Sequence, residues 1–164
     1  SPRCIFGTGA GAQIGGDTIA LGLNQNLADD YLFIIGWLGA FILVISDDHI
    51  NPVARFILRG SCPDGVVLQH APGRAHRCDF PGMAMPSPAS EIELIQTFAE
   101  TRVIGLTLNH EHMSDAEVES DIKLYELELG IPVTDALTHS PERLVEMVLT
   151  AFPQLGPRSA SGTR

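Results

Sequence analysis

Apolar positions along this chain recur in two periods. Short, β-branched runs such as "GVVLQH" (Gly65–His70), "VIGLTL" (Val103–Leu108) and "IPVTD" (Ile131–Asp135) are apolar on both faces. That pattern fits strands buried within a parallel sheet. Between them the spacing turns helical. Ile92, Ile95, Phe98 and Ala99 predict a helix over Ser90–Arg102. Ser114 with Glu117 forms a capping box, and the helix it opens runs to Gly130 with Val118, Ile122, Tyr125 and Leu129 on one face. Six acidic residues occupy its other faces. Ser140-Pro141 starts a last helix through Phe152. Upstream, "CIF" predicts a strand, Thr18–Ala28 a first helix, and the uncharged run Tyr31–Ile45 two buried strands joined by a tight turn. Asn51-Pro52 opens a helix that Gly60 closes. Strands alternating with helices imply an α/β fold: a mostly parallel sheet with helices on both faces.

Composition narrows the setting. The 164 residues suffice for one domain, expected over 1–153, with a disordered tail over 154–164. Apolar content is 45% and charged content 18%, so much of the chain is interior. A formal net charge of −10 opposes a nucleic-acid surface. Cys4, Cys62 and Cys78 are odd in number and lack C-x-x-C spacing, which indicates reduced thiols. No leader peptide is visible, and Tyr31–Ile45 is shorter than the ~18 residues a membrane helix needs. A cytoplasmic protein without membrane contact is expected. The chain starts on its first core strand, so a separated upstream part is also expected.

Candidate chemistry begins with "GTGAGAQIGGDT" (Gly7–Thr18), which has the glycines of a phosphate-binding loop without its lysine. From Gly11 it fits G-x-x-x-x-G-K-[ST] except that Asp17 takes the lysine position. Lys123 is the chain's single lysine, so no neighbour replaces the missing cation. A carboxylate ~4 Å from a phosphate charge costs on the order of 4 kcal/mol at an effective dielectric of ~20. Backbone amides at a helix N-terminus could still hold an anion, with Gly9, Gly11, Gly15, Gly16 and Thr18 as the candidate binding set. The alternative is a plain strand-to-helix turn.

The second candidate region follows the strand Gly65–His70. His70 closes that strand at the carboxyl edge, where open α/β sheets place ligands. Arg74, in a Pro-Gly turn, suits a carboxylate or phosphate. The segment from His70 to Pro88 holds four prolines and two glycines without a period, so it is either an ordered functional loop or a floppy one. His76 lies within it. Asn109 ends another strand at the same edge, either to read a ligand amide or base or to form a turn. His70, His76, Cys78, His110 and His112 lack the spacing of a closed zinc site, and no metal is assigned. No nucleophile elbow is present.

Four ordered stretches, "RGSCPDGVVLQHAPGR", "FPGMAMPS", "VIGLTLNHEHMS" and "LGIPVTDAL", resemble the carboxyl-terminal domain of the D-glutamate N-acetyltransferase-like family, formerly a domain of unknown function. The matching positions are Gly60, Ser61, Pro63, Asp64, His70, Pro72, Gly73, Arg74, Pro81, Gly82, Pro86, Ser87, Asn109, Pro132 and Asp135, spanning about Arg59 to Phe152. The resemblance implies a P-loop NTPase-like α/β fold of the dethiobiotin synthetase and nitrogenase iron protein group. It also implies acetyl-CoA as donor, an acidic D-amino acid as acceptor, and an additional amino-terminal domain that this chain lacks. Departures cluster upstream: the loop lysine is gone, the next polar motif is Ile35-Gly36-Trp37-Leu38-Gly39, and the segment after Ile45 is short.

Two functions follow as expectations. The first is acetyl-CoA-dependent N-acetylation of a D-glutamate-type amino acid, in a homo-oligomer. There His70 would be the general base and Arg74 would bind the substrate carboxylate. The glycine loop and Asn109 would hold the cofactor, and Ser61, Asp64 and His76 would contact substrate. The second is a nucleotide- or anion-binding module, with nucleotide and magnesium, that has no chemistry of its own.

Overall fold

The computed structural model describes residues 11–14, 17–20, 33–37, 40–46, 58–77, 80–135, 139 and 142–155. Its centre is a pair of strands, β5 (Gly65–His70) and β6 (Val103–Leu108), buried at every position. A strand apolar on both faces stays dry only if both faces are covered. The elements around this pair meet that demand.

Upstream of it, β1 (Gly11–Ile14) and β2 (Asp17–Ala20) form a separate two-stranded sheet. The main sheet adds β3 (Phe33–Trp37), β4 (Ala40–Ser46) and β7 (Val133–Thr134) in the order β3-β4-β5-β6-β7. β3 pairs antiparallel with β4, as expected for two apolar strands around a tight turn. The remaining neighbours are parallel, which requires crossover connections. A helical turn over 58–61 precedes β5, α1 (Pro88–Phe98) joins β5 to β6, and α2 (Asp115–Leu129) joins β6 to β7.

Right-handed crossovers stepping one way along a sheet put their helices on one face. Accordingly, Leu58, Ile95, Ala99 and Val118 pack with Val66, Leu68, Leu106 and Leu108 in one cluster. The last helix, α3 (Glu142–Ala151), covers the other face, where Leu144, Val145, Met147 and Val148 meet Ile42, Val67 and Ile104. Burying each such side chain stabilises the fold by roughly 1.5–3 kcal/mol. The expected α/β sheet covered on both faces is thus present.

A register shift between Val66 and Val67 shapes this core. Val66 pairs with Val103, but Val67 pairs with Gly105, so Ile104 is an extra residue in β6. Ile104 joins the α3 cluster, and Gly105 lies beneath α3 as well. A Cβ at position 105 would stand 2.5 Å from Met147 Sδ and 3.3 Å from the Pro132 carbonyl oxygen. Met147, 1% exposed, fills the space that the glycine leaves.

Helix ends follow local chemistry. α1 begins earlier than the apolar spacing indicated, because Ser87 is its N-cap, accepting from the Ser90 N–H at 3.3 Å, and Pro88 occupies the first turn. It stops at Phe98, whose carbonyl accepts from Arg59 Nη1 at 2.8 Å. α2 opens with the expected capping box and ends at Gly130, left-handed at φ 64°. A 3-10 turn, Pro153–Leu155, follows α3, and Leu155 packs on the α3 cluster. Residues 156–164 lie outside the described residues.

The expected first helix is corrected over Thr18–Ala20. There β2 pairs antiparallel with β1, Ile14 facing Asp17 and Thr18 facing Gln13. Two positions, 15 and 16, separate the paired strands; they lie outside the described residues, as do 21–28. β-Branched Thr18 and Ile19 favour a strand.

Two expectations follow. Gly105→Ala should cost about 1–3 kcal/mol by overpacking, and Met147→Ala about 2–5 kcal/mol by leaving a cavity. In urea unfolding the double variant should lose clearly less than the sum of the two. Strict additivity would show that the two positions do not compete for the same space.

The Glu117 carboxyl is held below the usual carboxylate value, first by the Ser114 hydroxyl and then by the Ser114 backbone N–H. A carboxyl depressed by folding stabilises above its unfolded value, and that contribution is lost as pH falls through the folded value. Ser114→Ala should therefore lower the melting temperature at pH 7, and its deficit against the parent should shrink below about pH 4. A deficit constant down to pH 3 would exclude this linkage.

Candidate functional site at the carboxyl edge of the sheet

Three adjacent parallel strands end together, their axes ~4.8 Å apart. His70 is the last residue of β5, Asn109 follows β6, and Asp135 follows β7. The ladder extends one step past the strands: the Asn109 N–H donates to the His70 carbonyl at 2.7 Å. The loops leaving β5 and β6 are thereby brought side by side.

The first loop turns at Pro72-Gly73, closed by the Arg74 N–H donating to the Ala71 carbonyl at 3.1 Å. Gly73 is required by close approach, since a Cβ there would lie 2.3 Å from the backbone oxygen of Glu111 in the second loop. With the backbones in contact, Arg74 reaches across. Its Nε donates to Glu111 Oε2 at 2.7 Å, and Nη2 donates to the same oxygen. The Arg74 side chain is 18% exposed and that of Glu111 40%. Asn109 Oδ1 accepts from the Glu111 N–H at 3.1 Å, an Asx turn that shapes the second loop. His112 completes the turn in the left-handed region at φ 64°, its Nε2 3.3 Å from Glu111 Oε1.

The two imidazoles at this edge differ. His70 is 4% exposed, its Nε2 3.4 Å from the Tyr125 hydroxyl of α2 and its ring edge-on to the tyrosine at 5.6 Å. It is part of the wall behind the loops. His110 is 35% exposed in its side chain, and its Nδ1 lies 2.7 Å from Oδ2 of Asp135, which is fully buried.

The loop from His70 to Pro88 is ordered across its described residues. His76 bridges Ala84, the Arg77 N–H donates to the Met83 carbonyl at 3.0 Å, and the Met85 N–H donates to the Ala75 carbonyl at 3.0 Å. A buried ion pair ties it down: Arg77 Nη2 donates to Glu91 Oε1 in the first turn of α1 at 2.9 Å. Cys78 and Asp79 lie outside the described residues.

The structure therefore brings together His70, Arg74 and Asn109 from the expected set, and adds Glu111, His110, Asp135 and Tyr125. His76, exposed, sits on the far limb of the first loop. Ser61 and Asp64 are not at this edge. They precede β5 at its amino end, roughly 20 Å from His70 by strand rise. A cavity of about 280 Å³ opens at that opposite edge, lined by Leu58, Arg59, Cys62 and Thr101, and none of the clustered polar groups reaches it. Gly9, Gly15 and Gly16 lie outside the described residues, while Gly11 and Thr18 belong to the β1–β2 hairpin. Among the described residues of that stretch the backbone is strand, not helix.

Asp135 was legible by the rule that picked His70 and Asn109, since it ends the third strand of the same sheet. Glu111 carried no such signal; it joins this edge through its bond to Arg74, 37 positions away. Among the described residues no group of three His, Cys, Asp or Glu could hold a metal ion, and no helix is long and apolar enough to cross a membrane.

Comparison with known proteins adds three findings. Residues 22–145 match the family profile described as "Domain of unknown function (DUF1611_C) P-loop domain". The chain is 26% identical over 129 residues to a D-glutamate N-acetyltransferase of Tritonibacter scottomollicae, covering 76% of this chain and 38% of that protein. It also resembles the crystal structure of a DUF1611 family protein from Anabaena variabilis, with a TM-score of 0.57 and 26% identity over 62% of this chain and 32% of that one. The chain thus spans about a third of the length of these relatives. With four parallel strands and their helices, the fold is α/β and P-loop-like. The family match starts after the glycine stretch.

Because the loops touch through backbone at Gly73, Gly73→Ala should push them apart. The melting temperature should fall by several degrees, the usual result of losing 1–3 kcal/mol in a domain of this size. A variant that melts with the parent would show that the contact at Glu111 is slack.

Proposed function

The chain belongs to the DUF1611 family, and on that premise we propose that it takes part in acetyl transfer from acetyl-CoA to the amino group of an acidic amino acid of the D-glutamate type. The observation that carries this reading is the Arg74–Glu111 pair. A guanidinium at the ligand edge of the sheet is already holding a carboxylate, through a side chain exposed enough to leave. An acidic amino acid can take the place of Glu111, exchanging one carboxylate for another on the same Nε and Nη2 donors. Glu111 then swings outward into water, where its exposure makes the exchange cheap. Charge exchange of this kind selects acceptors by their carboxylate and leaves the amino group towards the neighbouring side chains. The similarity to a D-glutamate N-acetyltransferase supports the reaction class.

Calorimetric titration with D-glutamate, acetyl-CoA and ATP–magnesium tests the reading. D-Glutamate and acetyl-CoA should bind, and Arg74→Gln should weaken D-glutamate tenfold or more, as expected when a charged hydrogen bond worth ~1.5–3 kcal/mol is lost. Acetyl-CoA affinity should be unchanged in that variant. Unaltered D-glutamate affinity would remove Arg74 from the site. Binding of ATP–magnesium alone would replace the transferase reading with a nucleotide-binding module.

A further inference from the structure

The imidazole expected to take the proton, His70, is buried behind Tyr125, whereas a second imidazole at the same edge has the geometry of an activated base. His110 directs Nδ1 at the fully buried carboxylate of Asp135, 2.7 Å away. A carboxylate at that distance accepts the Nδ1–H, which fixes the tautomer and leaves the lone pair on Nε2. Nε2 makes no hydrogen bond to any described residue, and the side chain is 35% exposed. Asp135 is 0% exposed, so its carboxylate does not meet water, and its backbone carbonyl accepts from the His139 N–H at 3.0 Å. His110 also stands next in sequence to Glu111, the residue that a substrate carboxylate would displace from Arg74. An oriented imidazole with a free Nε2 therefore lies one residue from the proposed carboxylate subsite.

We propose that His110 is the catalytic base of this site and that Asp135 is its positioning residue. The proposal rests on the acetyl-transfer reading above. The ammonium of the acceptor gives its first proton to Nε2, and the imidazolium formed faces the Asp135 carboxylate. The amine nitrogen then bonds to the thioester carbonyl carbon, and the carbon–sulfur bond breaks. The second nitrogen proton ends on the departing thiolate, giving the free thiol, and the imidazolium returns the first to water. His70 and Tyr125 form the wall that keeps this edge in shape.

Two measurements test it. In steady-state acetylation of D-glutamate, His110→Ala should lower kcat about 100-fold, the usual scale for a general base, with KM moving less than about threefold. Added imidazole should restore part of the lost turnover. A kcat within about threefold of the parent, or a loss that imidazole does not rescue while KM rises in parallel, would overturn the proposal. If the parent chain acetylates nothing, the functional reading fails and the pair is judged by its own reactivity. Diethylpyrocarbonate should then modify His110 faster than the more exposed His112, and Asp135→Asn should slow His110 about tenfold or more, because an amide no longer fixes the tautomer. Modification of His110 no faster than His112, or unaffected by Asp135→Asn, would overturn the pairing.

Discussion

The β5–β6 ladder is the constraint on which the rest of the molecule depends. All twelve of its residues are buried, so neither face can meet water and each must receive a helical layer. Parallel pairing forces every connection to cross from one edge of the sheet to the other. The crossovers are helices, and the loops are confined to the two edges. At the carboxyl edge the loops that follow β5 and β6 have nowhere to go but beside one another, next to Asp135 at the end of β7. The candidate site is the consequence of that confinement.

Within the edge, polar groups hold the loops where apolar packing cannot. Arg77 and Glu91 are both 6% exposed. Withdrawing such charges from water costs several kcal/mol each, a cost offset only by close pairing and further hydrogen bonds. Their pairing fixes the loop after β5 to the start of α1. Asp135 is withdrawn from water at the end of β7 and directs the His110 ring. Glu126 plays a similar part farther along α2, accepting from the Val133 N–H at 3.1 Å and from Arg143 at 2.7 Å, so that α2, β7 and α3 share one carboxylate. Glu126 first, and then Glu146, raise the Arg143 pKa and keep this cation charged at any ordinary pH.

Membership of a P-loop family sits beside a glycine stretch whose described residues pair as strands. The family match begins at residue 22, and the described residues on either side of Gly15-Gly16 pair as strands. A phosphate nest needs amides free of ladder hydrogen bonds at the start of a helix. The function proposed therefore rests on the other end of the chain, where charge and imidazole meet.

Much of the carboxyl-terminal half was legible in the sequence. β5 and β6 have the expected bounds, because β-branched runs between turn signals have few other stable forms. Ser114 and Glu117 announced α2 because a capping box is satisfied within one helical turn. His70 and Asn109 fell at the correct edge because strand direction follows from the alternation of elements. What the sequence could not carry was partnership across distance. Arg74 looked open for ligand until the fold set Glu111 upon it. His110 looked like one of several scattered histidines until β7 brought Asp135 to its Nδ1. The glycine stretch pointed to a helix from Thr18 onward, and only the pairing of β1 with β2 showed a strand over Asp17–Ala20. Local hydrogen bonds and periodicity are written in neighbouring residues; ion pairs and ring orientation depend on which strands become neighbours, and that is settled only when the sheet closes its core.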